Sequence, residues 1–142
     1  MFLKQLTVFL ENREGRLDSV TDILSKNNIN IVCLSLADTS EYGVIRMIVS
    51  EPDKAKTVLK EEGCLARLTD VLAISMEQKA GSLNKLTKIF SEQGINIEYM
   101  YTLNSSREAG SMIIKCTDIE KGHEAVKKAG LTLVDPETAY SM

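Results

Sequence analysis

The sequence of 142 residues holds one histidine, His123. A Ser-His-Asp or Cys-His scheme would have to use it as the base. It stands among Lys121, Glu124, Lys127 and Lys128, in a stretch that reads as a solvated helix face. The three cysteines, Cys33, Cys64 and Cys116, are odd in number and widely spaced, and no CxxC occurs. They argue against a disulfide frame or a zinc site and for buried thiols in a reducing compartment. No cluster has metal-ligand spacing, and neither a P-loop nor GxGxxG appears, so no metal and no cofactor is expected. No apolar run approaches the length of about 20 residues that crosses a bilayer. Met1-Phe2-Leu3-Lys4 enters a strand pattern without a basic n-region or a cleavage site, so a cytoplasmic protein without membrane contact is expected. A basic excess is missing too. The net charge is −3, which disfavours nucleic acid as a partner.

What is present is ordinary in bulk and unusual in arrangement. Apolar residues make up 44% and charged residues 26%, as in globular domains generally. The chain repeats itself at an offset of 66 residues, the spacing of Gly15 and Gly81. The identities are Leu6/Leu72, Glu11/Glu77, Gly15/Gly81, Leu17/Leu83, Thr21/Thr87, Ile23/Ile89, Ser25/Ser91 and Ile29-Asn30-Ile31 against Ile95-Asn96-Ile97. An internal repeat is read before anything else. It divides the chain into two small domains, 1–69 and 70–142. No Pro/Gly/Ser-rich linker separates them, so they are expected to dock rather than hang on a tether.

Each copy predicts the same order of elements. In the first, residues 2–10 alternate as a strand, a helix runs to about Lys26, and Asn27-Asn28 stops it. A second strand from Ile29 to Ala37 is apolar on both faces, with Ile31 and Cys33 on one and Val32, Leu34 and Leu36 on the other. A hairpin strand follows from Tyr42 to Ser50. Pro52 then opens a second helix that Gly63 ends, and Cys64–Leu68 is the fourth strand. The second copy reads Val71–Gln78, Ser82–Gln93, Ile95–Leu103, Ala109–Cys116, Asp118–Ala129 and Leu131–Val134, with Pro136 opening a polar tail. The fold class expected is α+β: two ferredoxin-like β-α-β-β-α-β repeats. Each sheet would carry helices on one face, and the two sheets are expected to join side by side. Tyr99 and Tyr101 should share one face of their strand and Met100 take the other, serving a pocket or an interface. RNA-recognition modules share this plan, but the third strands here lack their stacking aromatics.

The turn between first strand and first helix carries the candidate site. Asn12-Arg13-Glu14-Gly15-Arg16-Leu17 occupies it in one copy, and Gln78-Lys79-Ala80-Gly81-Ser82-Leu83 in the other. Glycine allows the sharp turn and a close backbone approach. The first amides of the helix point into the loop unpaired, at the positive end of the helix dipole, and so suit an anion. Glu14 complements the same dipole by its charge.

These motifs resemble those of the ACT domain family. The pattern N-x-x-G-x-L is met by residues 12 to 17, and a G/N-I-N-I second strand by Asn28-Ile29-Asn30-Ile31 and Gly94-Ile95-Asn96-Ile97. Gln78 departs from it, standing where Asn is usual. The resemblance spans residues 2 to about 134 and is to free-standing tandem ACT proteins. It implies a non-catalytic regulatory protein with a small-molecule ligand, an amino acid being the expected class. The ligand-binding candidates are then Asn12, Arg13, Glu14, Gly15, Arg16, Leu17, Gln78, Ala80, Gly81, Ser82 and Leu83. Asn30 and Asn96 join them as acceptors for an α-ammonium group. The first loop, with its intact Asn12, is expected to bind better. A homodimer is expected, since the sheet face without helices looks too apolar to stand alone. The resemblance leaves open a regulatory subunit of a separate amino-acid biosynthetic enzyme, similar to acetolactate synthase small subunits. It also leaves open a structural dimer module without ligand.

Overall fold

A computed structural model describes residues 1–11, 13–38, 41–105, 107 and 109–142, with the side chain of Asp38 outside that description. The elements run β1 (Leu3–Glu11), α1 (Arg16–Lys26), β2 (Ile31–Asp38), β3 (Tyr42–Val49), α2 (Pro52–Glu61) and β4 (Leu65–Glu77). They continue with α3 (Ser82–Glu92), β5 (Ile97–Ser105), β6 (Ala109–Cys116), α4 (Ile119–Lys128), β7 (Thr132–Leu133) and α5 (Pro136–Tyr140). The chain forms two compact units. The first is Lys4–Thr69 with Tyr140–Met142, the second Asp70–Ala139 with Met1–Leu3.

In the first unit the strand order is β2-β3-β1-β4, in which β4 contributes its opening residues. In the second it is β7-β4-β6-β5, each neighbouring pair antiparallel. Numbered within each repeat, both orders put the first and third strands in the centre. That is the ferredoxin-like arrangement, and the α+β class with two such repeats stands.

Strand alternation decides which side chains meet the helices. Leu6, Val8 and Leu10 of β1 pair in register with Met47, Ile45 and Gly43 of β3. They form one core with Val20 and Leu24 of α1, Ala55 and Leu59 of α2, and Ile29. The α1 residues recur at helical spacing, with Asp18 in the first turn and Lys26 in the last to suit the dipole. Asn28, at φ 57°, ends the helix, and the amide of Ile29 returns to the carbonyl of Leu24 at 2.9 Å. Asn tolerates this left-handed closure, and Ile29 adds its side chain to the core beside Leu24. The second unit repeats the design with Leu72, Ile74, Leu86, Phe90, Ile95, Ile114 and Val126.

Four details differ from the pattern in the sequence. Thr69-Asp70 does not break the chain: β4 is one strand of 13 residues, because both segments are extended and nothing between them demands a turn. The last strand shrinks to Thr132–Leu133, and Val134 adds only an amide bond to Ala73 O at 2.8 Å. The supposed polar tail holds α5, whose Ala139 is buried, and the Tyr140 hydroxyl accepts the Lys4 amide at 2.8 Å. Finally, β2 carries a bulge between Ile31 and Cys33. It moves Ile31 onto the helix-facing side with Leu34 and Leu36 and leaves Cys33 on the other. An equivalent bulge lies between Ile97 and Tyr99 in β5. Past it, Tyr99 and Tyr101 share the face away from the helices and Met100 faces the second core.

On the face without helices, Gln5, Thr7 and Ile48 of the first unit and Val71, Ala73 and Ile113 of the second are buried. Gln5 Nε2 donates to Thr7 Oγ1 at 2.9 Å, and Thr7 Oγ1 lies 3.3 Å from Thr69 Oγ1.

Candidate functional site

Both glycine loops have the geometry their sequences require. Gly15 is the N-cap of α1 at φ 80°, and Gly81 the N-cap of α3 at φ 89°. These are left-handed conformations that other residues adopt at a cost. No side chain among the described residues caps either helix, but the first amide of each already turns back into the loop, Arg16 N donating to Arg13 O at 3.4 Å and Ser82 N to Lys79 O at 3.2 Å; the next two amides of the first turn are the ones left for a ligand. A cavity of ≈ 320 Å³ opens at the second loop, lined by Met76, Glu77, Lys79, Ala80, Gly81, Ser82, Lys85 and Leu131. Its size is at the small end for a ligand pocket. It combines an apolar wall, a hydroxyl, two ammonium groups and a helix N-terminus in one hollow.

The structure brings together Ala80, Gly81 and Ser82 of the expected residues. Gln78 turns aside: its Nε2 donates to Ser105 Oγ at 2.9 Å. Gly110 faces it so closely that a Cβ there would lie 2.6 Å from Gln78 Nε2. Leu83 is exposed, as is Leu17 in the first loop. Asn12 lies outside the described residues. Arg13 and Glu14 are exposed. Arg16 is half-buried, with Nε enclosed and without a hydrogen-bond partner among the described residues. It lines a groove beside α1 with Asp22, Lys26 and Glu62. Asn30 and Asn96 sit elsewhere. Each follows the far end of a helix of 11 residues, about 16 Å from the loop that opens it. There they line two equivalent hollows, one with Thr21, Ser25 and Ile29, the other with Thr87, Ser91 and Ile95.

Glu11 and Glu77 border the two loops as well. Glu77 holds Lys79 Nζ at 2.6 Å, and Glu11 holds Arg13 Nε at 3.3 Å. Each pair joins the last residue of a strand to a base in the loop. The hydrogen bond and charge of Lys79 keep the Glu77 carboxyl below its ordinary range, and Glu77 raises Lys79 in return. Both groups are exposed, so the pair orients side chains more than it stabilises the fold. The signal was available, since Glu11/Glu77 is one of the repeat identities. Met76, Lys85 and Leu131 carried none, because only tertiary structure brings them beside the loop.

Residues 1–142 match the family described as the ACT domain pair. The chain belongs to the ACT domain pair family. Protein BT0572 from Bacteroides thetaiotaomicron is 37% identical over 100% of this chain and 98% of that one, with a TM-score of 0.95. The ligand-free regulatory subunit of aspartate kinase from Thermus thermophilus is 19% identical, covers 89% of this ACT domain pair and 91% of its own chain, and has a TM-score of 0.65. The corresponding subunit from Thermus flavus is 16% identical over 92% and 94% of the two chains, with a TM-score of 0.60. These two likenesses are of fold. No curated protein matches significantly. Among the described residues, no His, Cys, Asp or Glu cluster has the makings of a metal site, and no helix is long and apolar enough to cross a membrane.

Proposed function

We propose that this ACT domain pair is a non-catalytic regulatory protein that binds a small carboxylate-bearing ligand, an amino acid, at its glycine loops. The cavity at the Gly81 loop carries the reading. A ligand carboxylate takes the amides of Leu83 and Asn84 in the first turn of α3, with the Ser82 hydroxyl and Lys85 beside it. Glu77 supplies the acceptor for an ammonium group, and Met76 and Leu131 meet an apolar side chain. The loop at Gly15, with Asn12, Arg13, Glu14, Arg16 and Leu17, is proposed as the companion site in the module 1–69. The protein acts in the cytoplasm, as three free thiols favour, and as a homodimer.

The test is a thermal-shift screen of the purified protein against the twenty amino acids, followed by calorimetry. A ligand at a hundred times its Kd adds about 2.7 kcal/mol to the folded state. Selective stabilisation by one or two amino acids is expected. Gly81→Val should weaken that binding at least tenfold; a larger loss from Gly15→Val would make the first loop the principal site. A flat panel at millimolar concentration would overturn the ligand reading. It would favour a regulatory subunit of an amino-acid biosynthetic enzyme, a role that the likeness to aspartate kinase subunits also suggests.

A further inference from the structure

The two glycine loops differ in charge. Residues 11–19 hold Glu11, Glu14 and Asp18 against Arg13 and Arg16, so acid is in excess. The equivalent residues 77–85 hold Glu77 against Lys79 and Lys85, so base is in excess. Ala80 stands in the place of Glu14, Asn84 in that of Asp18 and Lys85 in that of Ser19. Asp18 lies in the first turn of α1, at the positive end of the helix dipole, while the first turn of α3 has no acid. An anion at the second loop therefore meets no competing carboxylate from its helix. The cavity there is lined by Glu77, Lys79 and Lys85 together. Lys79 Nζ already lies 2.6 Å from the Glu77 carboxylate. The hydrogen bond and charge of Lys79 lower the Glu77 carboxyl most, and Lys85 adds to that effect without an ion pair of its own among the described residues. An amino acid with a neutral side chain brings one charge of each sign and leaves Lys85 unbalanced.

We propose that the cavity at Gly81 takes an acidic amino acid, aspartate or glutamate, whose second carboxylate balances Lys85. This rests on the reading that amino acids bind at the glycine loops, and it names the class for the second loop. The α-ammonium goes to Glu77 and the α-carboxylate to the amides of Leu83 and Asn84. Lys85, with three N–H donors, serves both carboxylates. The methylenes of the ligand are the apolar part that Met76 and Leu131 meet. Hydrogen bonds between charged partners are stronger than those to a neutral amide. Glutamine and asparagine, alike in size and shape but without the second charge, therefore bind more weakly. The Gly15 loop, with its excess of acid, does not select this class.

The test is calorimetry on the whole protein, comparing glutamate with glutamine and aspartate with asparagine. The better acid is expected to bind at least about tenfold more tightly than its amide, and Lys85→Gln to bring the two within about twofold. The advantage should shrink at high salt, which screens an open site. Gly81→Val should remove binding of the acid, and Gly15→Val should leave it. Lys85 is exposed, so the circular dichroism and Tm of ligand-free Lys85→Gln should match the wild type. Binding of none of the twenty amino acids would overturn the reading beneath this proposal, and the proposal with it. A neutral amino acid whose binding Gly81→Val abolishes, with no advantage of acid over amide, would overturn the acidic class and leave the site standing. An acid preference that survives Lys85→Gln, or that only Gly15→Val removes, would overturn the assignment to this cavity.

Discussion

At the scale of residues, two kinds of glycine make different demands. A Cβ added at Gly15 or Gly81 meets nothing within 4 Å, so the constraint there is the positive φ alone. Gly15→Ala should cost about 1–2 kcal/mol from that conformation. A urea titration would show a reduced midpoint with an unchanged slope. Gly122 is constrained by space instead. A Cβ on it would stand 3.1 Å from Cys116 Sγ, 3.1 Å from Phe90 Cε1 and 3.4 Å from Leu72 Cδ1. Gly122→Val should therefore destabilise by about 1–3 kcal/mol through overpacking. The sequence showed all three glycines, but only Gly15 and Gly81 stood at a recognisable turn. The thiols make a prediction about pH. Burial, the leading cause in each case, raises Cys33, Cys64 and Cys116 above the ordinary thiol value. The folded protein holds all three protonated at neutral pH. Alkylation by iodoacetamide should be slow at pH 7 and accelerate when urea unfolds the chain. A thiol whose pKa is raised on folding favours the native state below its unfolded pKa. That contribution fades as pH climbs through the folded value, so stability should decline on the alkaline side.

At the scale of elements, the sequence was most readable where a helix ended. Asn28, Gly63, Gly94 and Gly130 all stop helices with a left-handed residue, as their types suggest. It was least readable where pairing partners decide the outcome. Strict alternation assigned Ile31 and Cys33 to one face, and the bulge in β2 separates them; no local residue announces an extra position in a ladder. The joining of two strands into β4 is similar, since neither segment knows it will be continued. The small helix α5 was hidden by its polar composition. Its worth lies in buried Ala139 and in the Tyr140 hydroxyl that receives the Lys4 amide. Deleting residues 136–142 should lower stability by about 1–3 kcal/mol, from a lost hydrogen bond and lost burial. Differential scanning calorimetry would register a lower Tm. An unchanged Tm would make the segment a passive tail.

At the scale of the molecule, the repeat accounts for the architecture and its divergence for the site. Both units keep the glycine turn, the same helix closures and the same bulge. They differ in what surrounds the turn and in what guards the edge strand: Glu98 with Lys115 in one, leucine in the other. A saturating amino acid should raise the Tm of the wild type, and the rise should shrink in Gly81→Val, as differential scanning calorimetry would show.

The sequence by itself determined the repeat, the β-α-β-β-α-β order and the glycine turns. These depend on local conformational preference and on side-chain period, which neighbouring residues carry between them. Tertiary structure alone decided that Met76, Lys85 and Leu131 share a hollow with Gly81, that Asn30 and Asn96 stand a helix length from the loops, and that Leu34 and Leu36 remain exposed. The reason is that a cavity and a bare edge are properties of what packs nearby. That depends on register and on residues far apart in the chain, which no local pattern encodes.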